Sequence, residues 1–200
     1  MMPCTPSPSK SNAMSNSKSS IRKIPRIMTR KRLENIAVHY LRRYASSCEN
    51  LRRVLLRRAD KAILFNGGDR EEIKLWIEDI INQMIRSNVL NDARYALDRT
   101  TTLRRMGRAP AKIRSQLTTK GISRAIIDNV LAETAVTANG EDATLKAAMA
   151  YACRRNLGPF SEKPSTQDGI QKQNKKHLAI LARAGFTYDI ACQIIEMVDK

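Results

Sequence analysis

The chain repeats its own pattern three times, and that constrains its fold more than any other feature. Each unit opens with an amphipathic segment bearing a tyrosine, and Tyr40, Tyr95 and Tyr151 stand 55 and 56 residues apart. A short segment follows in which a leucine precedes a small residue by four positions: Leu55 before Ala59, Leu117 before Gly121, Leu181 before Gly185. A third amphipathic segment closes each unit. Two strings superpose directly, Gly121-Ile122-Ser123 with Ile126-Ile127 and Gly185-Phe186-Thr187 with Ile190-Ala191. Both read as small residue, apolar residue, hydroxyl cap, then an apolar pair. A unit of this size buries little surface and is marginal alone. Stacked end to end, such units cover one another's apolar faces and build a long molecule.

Within the units the apolar spacing is helical. Leu33, Ile36, Ala37, Tyr40, Leu41 and Tyr44 recur at three and four residues, so a helix is expected from Leu33. A short second helix carries Leu51, Val54 and Leu55, and Asn66-Gly67-Gly68 breaks the chain. Asp69 with Glu72 reads as a capping box before Ile73, Trp76, Ile77, Ile80, Met84 and Ile85. Asn91-Asp92 starts the next helix, Gly107 and Pro110 mark a loop, and Gly121 ends the helix of Ile113 and Leu117. Ser123 caps a helix with Ile126, Ile127, Val130 and Leu131. After a linker over 134–140, Leu145, Ala148, Met149 and Ala152 form a further helix. Residues 156–174 read as a long loop, Leu178 and Leu181 as a short helix, and Thr187 as the cap of the last.

The fold expected is all-α, an elongated tandem array of three three-helix repeats over 33–90, 91–138 and 139–200, behind a disordered basic tail at 1–32. Aromatics at 4% and only 8 glycines argue against a β-sandwich or barrel. No run of 18 apolar residues spans a membrane, and no apolar h-region suggests a secretory signal. The tail is Ser-, Pro- and Lys-rich with no acid, and it ends in Arg26, Arg30, Lys31 and Arg32. It reads equally as a nucleic-acid-binding arm, an organellar transit peptide, or an over-long start with Met14 or Met28 as initiator.

Charge narrows the function. Lys and Arg number 36 against 19 Asp and Glu, a net +17. Such a chain self-repels unless something acidic neutralises it, and nucleic acid is the usual partner. The charge is also patterned. Arg42, Arg43, Arg52, Arg53, Arg57 and Arg58 face only Glu49 among acids. The second unit offers Arg99, Arg104, Arg105, Arg108, Lys112, Arg114, Lys120 and Arg124 with no acid between the first and last. The third offers Arg154 and Arg155, then Lys172, Lys175 and Lys176. Each unit thus presents a basic patch on its first two helices or the joint between them. A row of such patches matches a linear polyanion. Arginine's planar fork suits phosphate and carboxylate alike. The tyrosines and Trp76 mostly fall on apolar faces, so few aromatics are free to stack on bases, and recognition without sequence preference is expected.

Catalytic constellations are absent from the sequence. Glu71-Glu72, Glu78-Asp79 and Glu141-Asp142 read as helix-end or solvated charges. Gly67-Gly68-Asp69 lacks the Gly-Lys-Ser/Thr ending of a phosphate loop. His39 has no partner at motif distance and His177 lies among lysines. Cys4, Cys48, Cys153 and Cys192 lie too far apart for a zinc site and read as inert, reduced thiols. Neither an enzymatic activity nor a metal or cofactor is expected.

Three stretches resemble the RecX regulatory proteins, bacterial modulators of the RecA recombinase. The first runs Leu33-Glu-Asn-Ile-Ala-Val-His-Tyr40-Leu-Arg-Arg-Tyr to Leu51-Arg-Arg-Val-Leu-Leu-Arg-Arg58. The second is Leu90-Asn-Asp-Ala-Arg-Tyr95-Ala, then Gly107-Arg-Ala-Pro-Ala-Lys-Ile-Arg-Ser-Gln-Leu117-Thr-Thr-Lys-Gly121-Ile. The third is Ala150-Tyr-Ala-Cys-Arg-Arg-Asn-Leu-Gly-Pro-Phe160 with Leu181-Ala-Arg-Ala-Gly-Phe186. The chain departs from the family at Asn91, where aspartate is usual, at Ala59, where glycine often stands, and in extra residues around 60–68. The resemblance implies tandem three-helix repeats lying along the groove of the RecA–DNA filament. It implies restraint of recombinase, ATPase and co-protease activities in DNA repair, recombination and the SOS response. It also implies binding to single- and double-stranded DNA without sequence preference, by a cytoplasmic monomer with no membrane partner. Without the resemblance, the alternative is a helical protein that binds nucleic acid independently of RecA.

Overall fold

The computed structural model describes residues 26–136, 142–162 and 164–197. Among these the chain forms nine α-helices and no strand: α1 (Arg30–Leu41), α2 (Cys48–Asn66), α3 (Arg70–Arg86), α4 (Asp92–Arg105), α5 (Pro110–Thr119), α6 (Arg124–Glu133), α7 (Ala143–Arg155), α8 (Gln167–Ala184) and α9 (Tyr188–Glu196). A 3-10 turn, Gly158–Phe160, lies between α7 and α8.

Polar side chains set most helix starts. The oxygens of Thr29, Ser47, Asp69, Asn91, Ser123, Asp142 and Thr166 each accept a backbone N–H from the first turn they precede. Thr187 holds the cap position of α9 without a side-chain bond. The helices bury three separate cores. Leu33, Leu51, Leu55, Ile77, Ile80 and Ile81 build the first, and Ala96, Leu103, Ile113, Leu117 and Ile127 the second. The third is made of Ala147, Ala148, Ala152, Leu181, Phe186 and Ile194, and it takes in Ala109 from the second unit. The principal helix packings lie within one unit, except α4 against α7. The array is therefore elongated, all-α and threefold repeated.

Three elements differ from the sequence expectation. Helix α1 begins at Arg30, capped by Thr29, and Met28 is buried in the first core. Arg30 pairs with Asp79 at 3.1 Å and Lys31 with Glu34 at 3.6 Å, so the end of the expected tail belongs to the fold. Helix α2 runs on through 60–66, where Ala62 is buried and Asp60 pairs with Arg70 of α3 at 2.7 Å. The extra residues around 60–68 thus lengthen a helical hairpin. The second part of the stretch 156–174 is also ordered as helix, because α8 starts at Gln167. Its first turns are Gln-, Lys- and Asn-rich, good or neutral helix formers that leave no apolar period to read. Residues 1–25, 137–141, 163 and 198–200, including Cys4, Met14 and most of the tail, lie outside the described residues.

Both joints between units use the same parts. The start of one unit's second helix meets the end of the next unit's second helix. At the first joint, the Ser47 hydroxyl accepts from Asn50 N–H and donates to the Lys120 carbonyl at 2.5 Å, capping α2 and α5 together. Arg53 donates to the Thr119 carbonyl at 2.8 Å, and Asp92 of α4 accepts the Cys48 N–H at 2.8 Å. These carbonyls are orphans of α5 and this N–H is an orphan of α2, so each helix end satisfies the other. Burial, reinforced by Asp92, pushes the Cys48 thiol up to about 11, which keeps it an unreactive member of this contact. At the second joint, Ala109, the cap residue of α5, approaches Gly185 at the end of α8. Gly107 presses on α7, where an added Cβ would lie 2.8 Å from the Ala147 carbonyl and 2.9 Å from the Tyr151 nitrogen.

Gly121 and Gly185 occupy equivalent places with φ of +78° and +94°, but their surroundings differ. A Cβ on Gly121 would overlap Cβ and Cγ of Glu49, whereas one on Gly185 would stand 3.4 Å from Ala111, an ordinary contact. Gly185→Ala is expected to cost about 1–2 kcal/mol for the left-handed backbone alone. Gly121→Ala is expected to cost a further ~1–3 kcal/mol for overpacking. Urea unfolding of both variants checks this; equal losses would show that the first joint is no tighter than the second.

Candidate nucleic-acid interface

The structure divides the candidate basic residues into those spent inside the fold and those available to a ligand. Arg52 grips Glu78 through Nε and Nη2 at 2.6 and 2.8 Å and Glu49 through Nη1 at 2.5 Å. Arg53 pairs with Glu49 at 2.9 Å as well as holding Thr119. Burial by itself would raise the Glu49 pKa, but hydrogen bonds from Arg52 and Arg53 outweigh it and hold the carboxyl below its ordinary value. The bond from Arg52 lowers Glu78 likewise. Arg114 pairs with Asp128, Lys120 donates to the Asn50 side chain at 3.2 Å, and Arg154 donates to the Met106 carbonyl. Arg104 is half-buried and donates to the Leu131 carbonyl at 3.2 Å. These residues fasten helices and joints.

Another group stays exposed. Among the described residues, the one hydrogen bond of Arg57 goes to its own helix, at the Arg53 carbonyl. Arg43 and Arg155 lie 6.0 Å from the centroids of Tyr44 and Tyr151. Arg42, Arg58, Arg105, Arg108 and Lys112 hold no ion pair or side-chain hydrogen bond among the described residues. Arg42 lines a groove between α1 and α3 that also contains Glu34. Lys172, Lys175 and Lys176 sit exposed on the first half of α8.

The second joint gathers four cations into one cleft. Arg108, Lys112, Arg155 and Arg183 line a space of about 480 Å³, together with Tyr151, Leu157 and Ile180 and with no carboxylate. The α4–α5 turn supplies Arg108, the first turn of α5 Lys112, the end of α7 Arg155 and the end of α8 Arg183. Four positive charges around apolar walls repel one another until an anion enters. At the first joint the matching positions carry other residues. Counting from the caps Ser47 and Ala109, Glu49 stands where Ala111 does and Asn50 where Lys112 does. Counting back from Gly121 and Gly185, Thr119 stands where Arg183 does. The first joint is thus closed by its own hydrogen bonds, and the second is open and positive. Sequence reading missed Arg183; its one signal is its place two residues before the glycine that ends α8.

No group of three or more His, Cys, Asp or Glu able to hold a metal occurs among the described residues. His177 is buried, its Nδ1 accepts the Gly158 N–H at 3.1 Å, and burial lowers its pKa, so its role is structural. No helix among the described residues is long and apolar enough to cross a membrane.

A family profile described as RecX, second three-helix domain, matches residues 91–131. The chain is 38% identical over 174 residues to the regulatory protein RecX of Myxococcus xanthus, covering 87% of this chain and 89% of that protein. It is 24% identical over 166 residues to the regulatory protein RecX of Agrobacterium fabrum, covering 83% of each. A crystal structure of RecX from Lactobacillus salivarius superposes with a TM-score of 0.60 at 22% identity, covering 85% of this chain and 96% of that one. A second crystal structure of regulatory protein RecX gives a TM-score of 0.57 at 18% identity, covering 84% and 71%.

As a nucleic-acid interface the second-joint cleft has a measurable signature. Four contacts to single-stranded phosphates contribute roughly 0.7 each to the log–log salt slope of binding. Replacing Arg108, Lys112, Arg155 and Arg183 together by alanine is expected to flatten that slope by about 3. Arg52→Ala is expected to lower the unfolding midpoint and leave the slope unchanged. A slope unmoved by the quadruple variant would take the cleft out of the interface.

Proposed function

Because the chain belongs to the RecX family of regulatory proteins, we propose that it acts on the RecA recombinase. In this reading it lies along the groove of the RecA–DNA filament and restrains recombinase, ATPase and co-protease activities, in DNA repair, recombination and the SOS response. The observation that carries the reading is the match to a RecX regulatory protein across 87% of the chain. The architecture supports it. A linear array with joints of one kind suits a partner that is itself a linear repeat. Occupying the groove would keep a second duplex from entering and would hinder filament growth. No step of this needs catalysis, so the chain works by binding, as a cytoplasmic monomer.

The basic residues supply the polyanion contact. Arg108, Lys112, Arg155 and Arg183 would hold backbone phosphate, with Arg42, Arg43, Arg57, Arg58 and Arg105 as further exposed cations along the array. Phosphate contacts position a protein without reading bases, so single- and double-stranded DNA are both bound without sequence preference. The four-cation cleft also favours a second reading, in which the chain binds nucleic acid without RecA. ATP hydrolysis separates the two. Added to RecA already assembled on circular single-stranded DNA, the chain is expected to lower ATP turnover in proportion to the filament it covers. Undiminished turnover at saturating chain would overturn the RecA reading and leave the second.

A further inference from the structure

The hairpin of α2 and α3 ends in an apolar tip that the core does not use. Helix α2 starts at the first joint and, with 19 residues, carries its other end roughly 28 Å away. It spends its apolar face on the first core, through Leu51, Leu55, Ala59 and Ala62. Its last turn then leaves Leu64 81% and Phe65 55% exposed. One exposed apolar side chain is ordinary, but two in succession, one of them aromatic, form a patch. The extra residues around 60–68 that lengthen the hairpin are the ones that build it.

The surroundings are cationic. Arg57 and Lys61 precede Leu64 by seven and three residues, and Arg58 and Lys61 precede Phe65 by seven and four. Both apolar side chains therefore continue a basic stripe along the outer face of α2. Arg57, Arg58 and Lys61 are exposed and hold no ion pair among the described residues. Asp60, the one acid between Asn50 and Gly68, is taken by Arg70. Beside the tip, a shallow hollow of about 600 Å³ lies between the start of α1 and the end of α2. Arg26, Lys31 and Arg32 line it with Ile27 and Asn66, and no carboxylate does, although Lys31 also reaches Glu34 at 3.6 Å. Asn66 follows Phe65 directly, so the hollow adjoins the ring.

We propose that the tip is a stacking contact for single-stranded nucleic acid. The Phe65 ring takes the face of an unpaired base, and Leu64 extends the apolar surface beside it. Arg58, Lys61 and the cations of the α1 hollow hold the flanking phosphates. Every base has a π-face, so an aromatic at the end of a cationic track binds single strands without reading their sequence. Other occupants suit the tip less well. A second copy would bring its own cations against these. A bilayer surface takes a helix with a whole apolar face free, and α2 has buried its own in the core. A duplex offers the ring no unpaired face. Sequence reading found few aromatics free to stack; Phe65 is one, freed because the hairpin extends past the core. The contact rests on the strand binding proposed above and not on RecA.

The test titrates the full chain and its Phe65→Ala variant with a short oligothymidylate and with the abasic analogue of equal length. The two strands carry the same phosphates and differ only in their bases. Phe65 lies outside the first core, so its removal leaves the fold intact. Phe65→Ala is expected to weaken oligothymidylate binding about tenfold, with abasic-strand affinity within about twofold of the parent. The salt slope is expected to stay unchanged, because no charge is removed. Phe65→Tyr, which keeps a ring, is expected to hold the parent's affinity. Replacing Arg58 and Lys61 together by alanine is expected to weaken both strands and flatten both slopes by about 1.4. Equal losses on the two strands from Phe65→Ala, or no loss on either, overturn the stacking contact. A variant that keeps both strands but no longer binds phosphatidylserine vesicles overturns it too, and assigns the tip to lipid. If the parent holds neither strand, strand binding itself fails and the contact falls with it; a parent that binds both strands alike, indifferent to Phe65→Ala, refutes the contact alone.

Discussion

Everything in this molecule depends on how the end of one second helix seats against the beginning of another. Each three-helix unit has a small core and is marginal alone, so the joints add stability that the units lack. At the first joint the Ser47 hydroxyl serves two helices, answering an N–H of α2 and a carbonyl of α5. Asp92 answers a further α2 N–H from the third direction. The approach is so close that Gly121 has no room for a side chain. Helix ends that would otherwise need water are satisfied by the neighbouring unit, and the positive end of one helix faces the negative end of the next.

The two joints share this plan and differ in what surrounds it. Glu49 draws Arg52 and Arg53 into ion pairs and neutralises the first joint. Alanine occupies the matching place in the second, and Lys112 and Arg183 replace Asn50 and Thr119. The same scaffold therefore produces a fastener at one end and a positively lined cleft at the other. Net charge does not distinguish these outcomes; the presence of one glutamate does. A strongly basic chain can spend much of its arginine on its own carbonyls and carboxylates and still gather part of the remainder in one cleft.

Much of this was legible in the sequence. The helical periods, the caps at Asp69, Asn91 and Ser123, and the helix-ending roles of Gly121 and Gly185 follow from local chemistry, and the structure has them. The stretch that most strongly resembles RecX contains Asp92, Tyr95, Lys120 and Gly121, and three of these four take part directly in the first joint: the motif encodes assembly of the array. What stayed hidden depended on distant partners. The start of α1 rests on burial of Met28, the length of α2 on Asp60 meeting Arg70, and the first half of α8 on helix propensity without an apolar stripe. His177 looks solvated among its lysine neighbours and is in fact buried under Gly158. Which arginines are spent and which are free depends on Glu78, Asp128 and carbonyls tens of residues away. Arg183 joined the site only through tertiary packing.

The central claim is that a basic helical array of this kind recognises a nucleoprotein filament rather than nucleic acid alone. The most direct measurement is a competition in one sample between preformed RecA–single-strand filaments and an excess of the same bare strand, at about 0.15 M salt, where surface electrostatics are screened. The account predicts that the chain partitions to the filament and stays there as bare strand is added. Partitioning in simple proportion to exposed phosphate would contradict it, and would leave a basic array that binds DNA wherever it finds it.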